Sequence, residues 1–330
     1  MKLSLMIPTH NSAATIERTL RGALAQEHRP LELLVYDEAS ADATREIVHR
    51  CLAEGEGNGV ETQLITSDDN SGPVEAWRVL LHRISGDWCC FVWADDVLRK
   101  EFSARMMEGA GRAVAAGRVL VSCSADVEIG GQILDNYAGD RGLATALEFS
   151  EGMFFRRFPL TQICSVYERE AARRIFDRHV RFDNPLGFDY ARQPYGNDVG
   201  FLSELAFEGG GVELLGEKLV RLTDSPTSMT RMATGSHLWQ MRWQYTFSFC
   251  RVWRTWEKAG VPGAARLRTL GVNRLALCSI MLRRGRRRLT PGDVTRAIAA
   301  YRDFRRFDFQ KTGMSLDDHR SKLIREGAAG

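Results

Sequence analysis

The sequence predicts an α/β protein: a Rossmann-like, mostly parallel sheet with helices on both faces, followed by a C-terminal helical extension. Three observations predict it. Short β-type runs alternate with helical patterns through the first half of the chain. The early β-type runs end in polar or acidic residues. From about residue 236 the β signal stops and the pattern is helical to the end.

The β-type runs are LSLMI (3–7), LELLVY (31–36), TQLI (62–65), WCCFVW (88–93) and VLVSC (119–123). Helical patterns fill 13–25, 43–53, 73–85 and 101–116 between them, and Asp42 stands where it would cap the second. Further on, DVEIGGQILD (126–135) reads as a hairpin around Gly-Gly. Residues 197–208 read as a helix, and VELLGEKLVRL (212–222) as another strand pair.

Hydrophobic residues make up 44% and charged residues 26% of the 330, the balance of a globular protein. No apolar run approaches the roughly 20 residues that span a bilayer. The short apolar run ahead of Pro8 is too brief for a secretory leader, so a cytoplasmic protein is expected. Seven cysteines, an odd number without CxxC spacing, read as buried thiols rather than disulfides or a zinc site. The net charge of +3 conceals an asymmetry: residues 251–330 hold 19 Lys and Arg against 7 Asp and Glu. The two parts are expected to do different work.

The stretch WCCFVWADD (88–96) runs a hydrophobic strand straight into two carboxylates. The first strand ends in Thr9-His10-Asn11, the second in Asp37-Glu38 and the fourth in Asp95-Asp96. Parallel strands gather such ends at one edge, where α/β sheets bind ligands. Acids collected there repel one another unless a cation or a donor-rich ligand joins them. Adjacent strand side chains point to opposite faces, so the chain must turn at Asp95-Asp96 if both are to serve one ligand. The plainer reading is that the pair caps the next helix.

Several motifs in order carry a resemblance. SLMIPTHNSAATIERTLRGALAQ is similar to the opening strand, Pro-Thr-x-Asn turn and first helix of the family 2 glycosyltransferases, which have the GT-A fold. LELLVYDEASADAT resembles their second strand with its acidic end. NSGPVEAWRVLLHRISGDWCCFVWADDVL resembles the Asn-x-Gly segment running to their D-x-D site. FPLTQICSVYEREAARR, YGNDVGFLSELAFEGG and LVRLTDSPTSMT resemble the acceptor-side strand, the helix bearing the catalytic base and the closing strand. The resemblance covers about residues 3–230. It implies a domain over 1–235, with 1–124 binding the nucleotide sugar and 125–235 the acceptor, and a basic helical extension over 236–330.

It also implies an inverting, metal-dependent transfer of a sugar from a nucleoside-diphosphate sugar to a hydroxyl of a glycan or lipid-linked glycan, in surface polysaccharide synthesis. Mg²⁺ or Mn²⁺ would be held at Asp95 and Asp96. Pro8, Thr9, His10, Asn11, Asp37, Glu38, Asn70, Asp95 and Arg221 would bind the donor. Asp198 would be the base, with Asp189 as fallback. An N-terminal helix acid favoured by the helix dipole is the plainer reading of Asp198.

Four positions depart from the family pattern. Trp93-Ala94-Asp95-Asp96 stands for Asp-x-Asp-Asp, and Asn197-Asp198 for Glu-Asp. Arg221-Leu222-Thr223 replaces Arg-x-His, and Ala76-Trp77-Arg78 replaces Ala-Arg-Asn. These leave a non-catalytic nucleotide- or glycan-binding relative as the alternative. A nucleotidyltransferase is disfavoured, because PTHNSAAT lacks a Gly-rich, basic loop for a triphosphate.

In the extension, Trp239, Trp243, Trp253 and Trp256 share a helical face with Cys250, and RRGRRR (283–288) adds a positive cluster. This reads as a helical packing or homodimer surface with a solvated basic edge. The alternative is peripheral contact with an anionic inner membrane face. Nucleic acid is not expected, since the aromatics do not interleave with the cluster and the rest of the chain is acidic.

Overall fold

Alternation along the first strands decides the layering. In β1 (Leu3–Thr9) and β2 (Leu31–Glu38), residues Leu3, Leu5, Ile7, Leu31, Leu33 and Val35 all point to one side. There they share a core with Ile16 and Leu20 of α1 (Ile16–Leu24), Val48 of α2 (Thr44–Glu54) and Phe102 and Met106 of α4 (Phe102–Ala115). The intervening Met6, Leu34 and Tyr36 are buried on the other side, where α3 (Pro73–Arg83) packs on β1 and β2. The computed structural model describes residues 1–129, 131–134, 137, 139–179, 192, 194–223 and 236–283. The chain divides into two compact units, Met1–Ala233 and Thr234–Gly330.

The remaining strands of the first unit are β3 (Val60–Ser67), β4 (Trp88–Phe91), β5 (Val97–Leu98), β6 (Leu120–Ile129), β7 (Gln132–Leu134), β8 (Gly142–Ala144), β9 (Ser165–Glu168) and β10 (Val212–Thr223). They form one sheet in the order β3-β2-β1-β4-β9-β6-β10-β5, with β7 paired to β6 and β8 to β10. Strands β1 to β4 run parallel, as do β6 and β10, while β9 runs antiparallel between β4 and β6. Helices α5 (Ala146–Phe154), α6 (Arg169–His179) and α7 (Asn197–Glu208) complete the unit. The predicted mixed α/β architecture with a mostly parallel sheet is therefore observed. The expected 126–135 hairpin is β6–β7, with Ile129 opposite Gln132. Asp42 is not the cap itself: the N-cap of α2 is Ala43, and Asp42, one residue before it, accepts the Thr44 N–H at 3.0 Å. All seven cysteines are free and buried.

One element needs correcting. Residues 212–222 are not a strand pair but the single strand β10, parallel to β6 along both halves. Gly216, at φ +69°, admits a register shift instead of a reversal. A side chain there would strike the Gly139 carbonyl, because an added Cβ lies 2.5 Å from it.

At the N-terminal edge of the sheet a buried carboxylate ties three segments together. Glu32 accepts from Ser4 Oγ (2.5 Å), Ser85 N (2.6 Å), Ser85 Oγ (2.6 Å) and Gly86 N (3.1 Å), and pairs with Lys2 Nζ at 3.1 Å. Gly86 fits because it lacks a Cβ, which would sit 2.3 Å from Ser4 Oγ.

In the second unit, α8 (Ser236–Lys258) packs on α9 (Ala264–Arg283). Trp243, Trp253 and Trp256 are buried, and Trp243 Nε1 donates to Ser279 Oγ at 2.9 Å. Gly271 lets Cys250 and Trp253 approach α9 closely, since an added Cβ would lie 2.8 Å from Cys250 Sγ. Three of the four tryptophans are thus buried rather than displayed. The RRGRRR cluster beyond Arg283 lies outside the described residues. Among the described residues no helix is long and apolar enough to cross a membrane.

Burial alone would raise the Glu32 carboxyl, but the bonds from Ser4, Ser85 and Lys2 outweigh it and hold the group at about 2. Glu32→Gln is therefore expected to lower unfolding free energy at neutral pH, by at most about 3 kcal/mol. A depressed carboxyl stabilises fully above its ordinary 4.5 and loses that contribution as pH falls toward 2. Denaturant unfolding of wild type and variant should therefore converge between those two pH values.

Candidate active site

The sheet reverses its winding at β1. The chain leaves β1 for β2 and β3 on one side, then crosses to the other side for β4. This is the switch point beyond which open α/β sheets bind ligands. Register aligns the ends: Thr9 lies opposite Asp37, and Val92 N donates to Met6 O at 2.8 Å. Thr9 Oγ1 and Asp37 Oδ1, at this shared position, are both buried without a partner among the described residues. Buried polar atoms are rarely left so unless a ligand serves them.

Three loops frame this position. Pro8 ends the buried run of β1, and Asn11 turns the chain at φ +48°, which an Asn side chain tolerates. Asn11 Oδ1 accepts from Ala41 N at 2.8 Å, and Asn11 N donates to Ser40 Oγ at 2.9 Å. His10 Nδ1 donates to the Glu38 carbonyl at 2.5 Å, which leaves Nε2 to accept from Asn11 Nδ2 (2.9 Å) and Asn70 Nδ2 (3.1 Å). The two adjacent acids of β2 do different things. Glu38 Oε1 accepts from Ser71 N and Gly72 N at 2.8 and 2.9 Å, holding the loop that starts α3. Asp37 Oδ2 pairs with Arg45 Nε at 3.0 Å, and its second oxygen is buried without a partner among the described residues.

After β4 the chain turns at the predicted place, closed by Asp96 N donating to Trp93 O at 3.1 Å. Helix α1 holds the turn from below: Arg18 Nη2 donates to the Asp95 carbonyl (2.7 Å) and Thr19 Oγ1 to that of Asp96 (2.8 Å). Gly22 allows α1 this approach, as an added Cβ would lie 3.1 Å from the Leu98 carbonyl. Asp96 is buried, and its Oδ1 accepts from Thr223 N at 2.7 Å. Asp95 is half-buried. Burial raises both carboxyls, and Asp95 adds its repulsion to Asp96, which lies well above the usual range. Among the described residues neither carboxyl forms an ion pair with a basic side chain. Arg221, opposite Val97 of β5, brings a guanidinium to this end of β10, and its Nε is buried without a partner among the described residues.

Two departures from the family pattern meet in space. Trp93 and Trp77 pack with ring centroids 5.4 Å apart, and Trp93 stacks on Phe91 at 5.9 Å with planes 4° apart. An aromatic pair therefore fills the positions where the pattern carries an acid and an arginine.

A third carboxyl comes from α7. Gly196 starts this helix at φ +84°, and Asp198 lies in its first turn, half-buried. Burial pushes Asp198 up to about 7, against the hydrogen bond from Gln162 Nε2 (2.9 Å), which lowers it. The rise corresponds to about 4 kcal/mol. An ionised acid at an exposed helix N-terminus gains about 1 kcal/mol at most, so the environment here is not that of a dipole-stabilised surface acid. Asn197 is buried with neither amide atom partnered among the described residues. Asp189 lies outside the described residues.

The segment Thr161–Cys164 joins the two acidic regions: Thr161 Oγ1 accepts from Trp93 Nε1 at 2.7 Å, and the next residue reaches Asp198. Sequence reasoning missed Thr161, Gln162, Arg45, Arg18 and Thr19. A polar Thr-Gln pair between Phe158 and the apolar ICSVY run is a signal that could have found the first two.

The donor set suits a hard divalent cation. Such ions take one or two carboxylates and complete their shell with phosphate oxygens and water. Among the described residues no third His, Cys, Asp or Glu joins Asp95 and Asp96 to make a cage of protein ligands.

The chain is similar to several known proteins. Succinoglycan biosynthesis protein ExoO of Rhizobium meliloti is 34% identical over 125 residues, 38% of this chain and 33% of that protein. The chain thus spans about a third of the length of that relative. Among solved structures, residues 1–349 of Staphylococcus aureus TarS in complex with UDP-GlcNAc superpose with a TM-score of 0.57 at 17% identity, covering 92% of this chain and 80% of that one. The mannosyltransferase PcManGT from Pyrobaculum calidifontis, in complex with GDP-Man and Mn²⁺, gives a TM-score of 0.52 at 16% identity, covering 99% and 79%. These two likenesses establish a shared GT-A-like fold. The model of glycosyl transferase family 2 matches residues 4–176, from β1 through most of α6 and more than half of the chain. With the acidic end of β2 and the Asp95-Asp96 turn after β4 both inside that match, the chain belongs to glycosyl transferase family 2.

Proposed function

We propose that this protein is an inverting, metal-dependent glycosyltransferase that moves a sugar from a nucleoside-diphosphate sugar to a hydroxyl of a glycan or lipid-linked glycan. The observation that carries the reading is the turn at the end of β4. Two neighbouring carboxyls are held there with their charged forms disfavoured and no basic side chain paired to them among the described residues. The succinoglycan relative supports surface polysaccharide synthesis as the setting, and the nucleotide-sugar complexes of the two structural neighbours support the donor class.

Asp95, half-buried, would hold Mg²⁺ or Mn²⁺, and Asp96, tied to Thr223 N, braces the turn that presents it. When bound, such an ion neutralises the charge that builds on the departing diphosphate. Arg221 adds a second positive charge for the same group. Thr9 and the unpartnered oxygen of Asp37 receive hydrogen bonds from the nucleoside, inside the frame that Pro8, His10, Asn11 and Asn70 make with Glu38. The acceptor hydroxyl attacks the anomeric carbon opposite the leaving group. Asp198 takes its proton, and the sugar–phosphate bond breaks with its electron pair going to the diphosphate. One base and no enzyme nucleophile are needed, so configuration inverts. Asn197, where the family pattern has Glu, leaves Asp198 as the one acid of the Gly196-Asn197-Asp198 turn.

A thermal-shift panel of UDP, GDP and dTDP at millimolar concentration, each with and without Mn²⁺, tests the donor site. At least one nucleotide should raise Tm, by up to about 3 kcal/mol of added stability at a hundred times its Kd, and more with Mn²⁺ than without. Asp95→Ala should abolish the Mn²⁺-dependent increment. No shift with any nucleotide overturns the reading, and failure to release nucleoside diphosphate from any bound donor leaves a non-catalytic binder.

Asp198→Asn should keep the nucleotide shift and lower transfer at least about a hundredfold. A base works ionised, so kcat/KM for the acceptor should climb with pH to a plateau, with its midpoint near 7. Normal transfer by the variant would remove Asp198 from the mechanism.

A further inference from the structure

Gln162 is fully buried in the 3₁₀ turn Gln162–Cys164, between β9 and α7. Its amide is bonded at both ends: Nε2 to Asp198 Oδ1 at 2.9 Å, and Oε1 to Tyr167 Oη at 3.2 Å. Tyr167 is fixed in turn. It is fully buried in β9, which is paired to β4 on one side and β6 on the other, and its ring meets Phe201 of α7 edge-on at 5.2 Å.

The direction of donation follows from what each group can do. An ionised carboxylate only accepts, so the NH₂ end of Gln162 must face Asp198. The carbonyl end then faces Tyr167, whose hydroxyl must donate. By donating to Oε1, Tyr167 holds the carbonyl end of the amide away from Asp198 and so reinforces the orientation that the carboxylate requires. Among the described residues no group bonds Asp198 Oδ2, and Asp198 keeps part of its surface open.

We propose that Gln162, locked by Tyr167, is a positioning residue for the base: it covers Oδ1 of Asp198 and reserves Oδ2 for the acceptor hydroxyl. This rests on the reading of Asp198 as the base. The same N–H favours the ionised carboxylate, so Gln162 keeps the base available at a pH where burial would otherwise protonate it. Helix α7 packs against α5, α6 and β6, and no charged side chain from them contributes to the Asp198 balance. Tyr167 is the titratable group among the described residues that senses Asp198, and burial holds its phenol well above its ordinary value.

The test needs no substrate. The full-length protein is labelled with ¹³C at aspartate Cγ, and the Asp198 resonance is assigned by its loss in Asp198→Asn. Its titration midpoint is then compared in wild type, Gln162→Leu and Tyr167→Phe. Gln162→Leu should move the midpoint up by about one pH unit, and Tyr167→Phe should move it the same way by less. Both should keep the nucleotide-dependent thermal shift, because the donor side is untouched. An unchanged midpoint in folded Gln162→Leu overturns the proposal. Should that variant fail to fold, an unchanged midpoint in Tyr167→Phe does so. This outcome is separate from failure of the base itself, which Asp198→Asn reports through transfer.

Discussion

Two like charges on adjacent residues, held in a half-dry turn, are what the rest of this site is organised around. Left alone, such a pair would swing apart into water. Here the backbone of the turn is clasped from α1 by Arg18 and Thr19, and Asp96 is tied to the backbone of β10 through Thr223. The clasp needs α1 close to β5, which Gly22 permits. Repulsion and burial together disfavour the charged forms, a strain that a divalent ion would relieve.

The fold sets three acids in three different environments. Glu32 at the N-terminal edge is saturated with donors and stays ionised, so it serves the sheet. Asp96 is buried with a single donor and a neighbouring acid. Asp198 has one donor and an open oxygen, and lies near neutrality. Carboxyl chemistry is identical in the three. Donor count, burial and neighbouring charge make one a staple, one a brace and one a candidate base.

Much of the first unit was legible along the chain. The short apolar runs LSLMI and LELLVY marked buried strands, and the acids after LELLVY and WCCFVW marked the ligand edge. Adjacent parallel strands then put Thr9 beside Asp37. Other features were not legible. VELLGEKLVRL contains a glycine where a hairpin would turn, yet a positive φ serves a bulge as well as a turn, and pairing with β6 chose between them. Nothing in Asp37-Glu38 says which acid is free. That was decided by the arrival of Ser71 and Gly72 at Glu38 and of Arg45 at Asp37.

The sequence by itself determined the layered sheet, the edge at which its acids collect and the helical character of residues 236–283, because these follow from local periodicity and from where charge interrupts it. Only the tertiary structure decided which acids are braced and which are open, that Trp77 and Trp93 meet, and that Gln162 reaches Asp198 from 36 residues away. The physical reason is that solvation and hydrogen-bond partners are supplied by segments distant in the chain, and a carboxyl's behaviour depends on them far more than on its own neighbours in sequence.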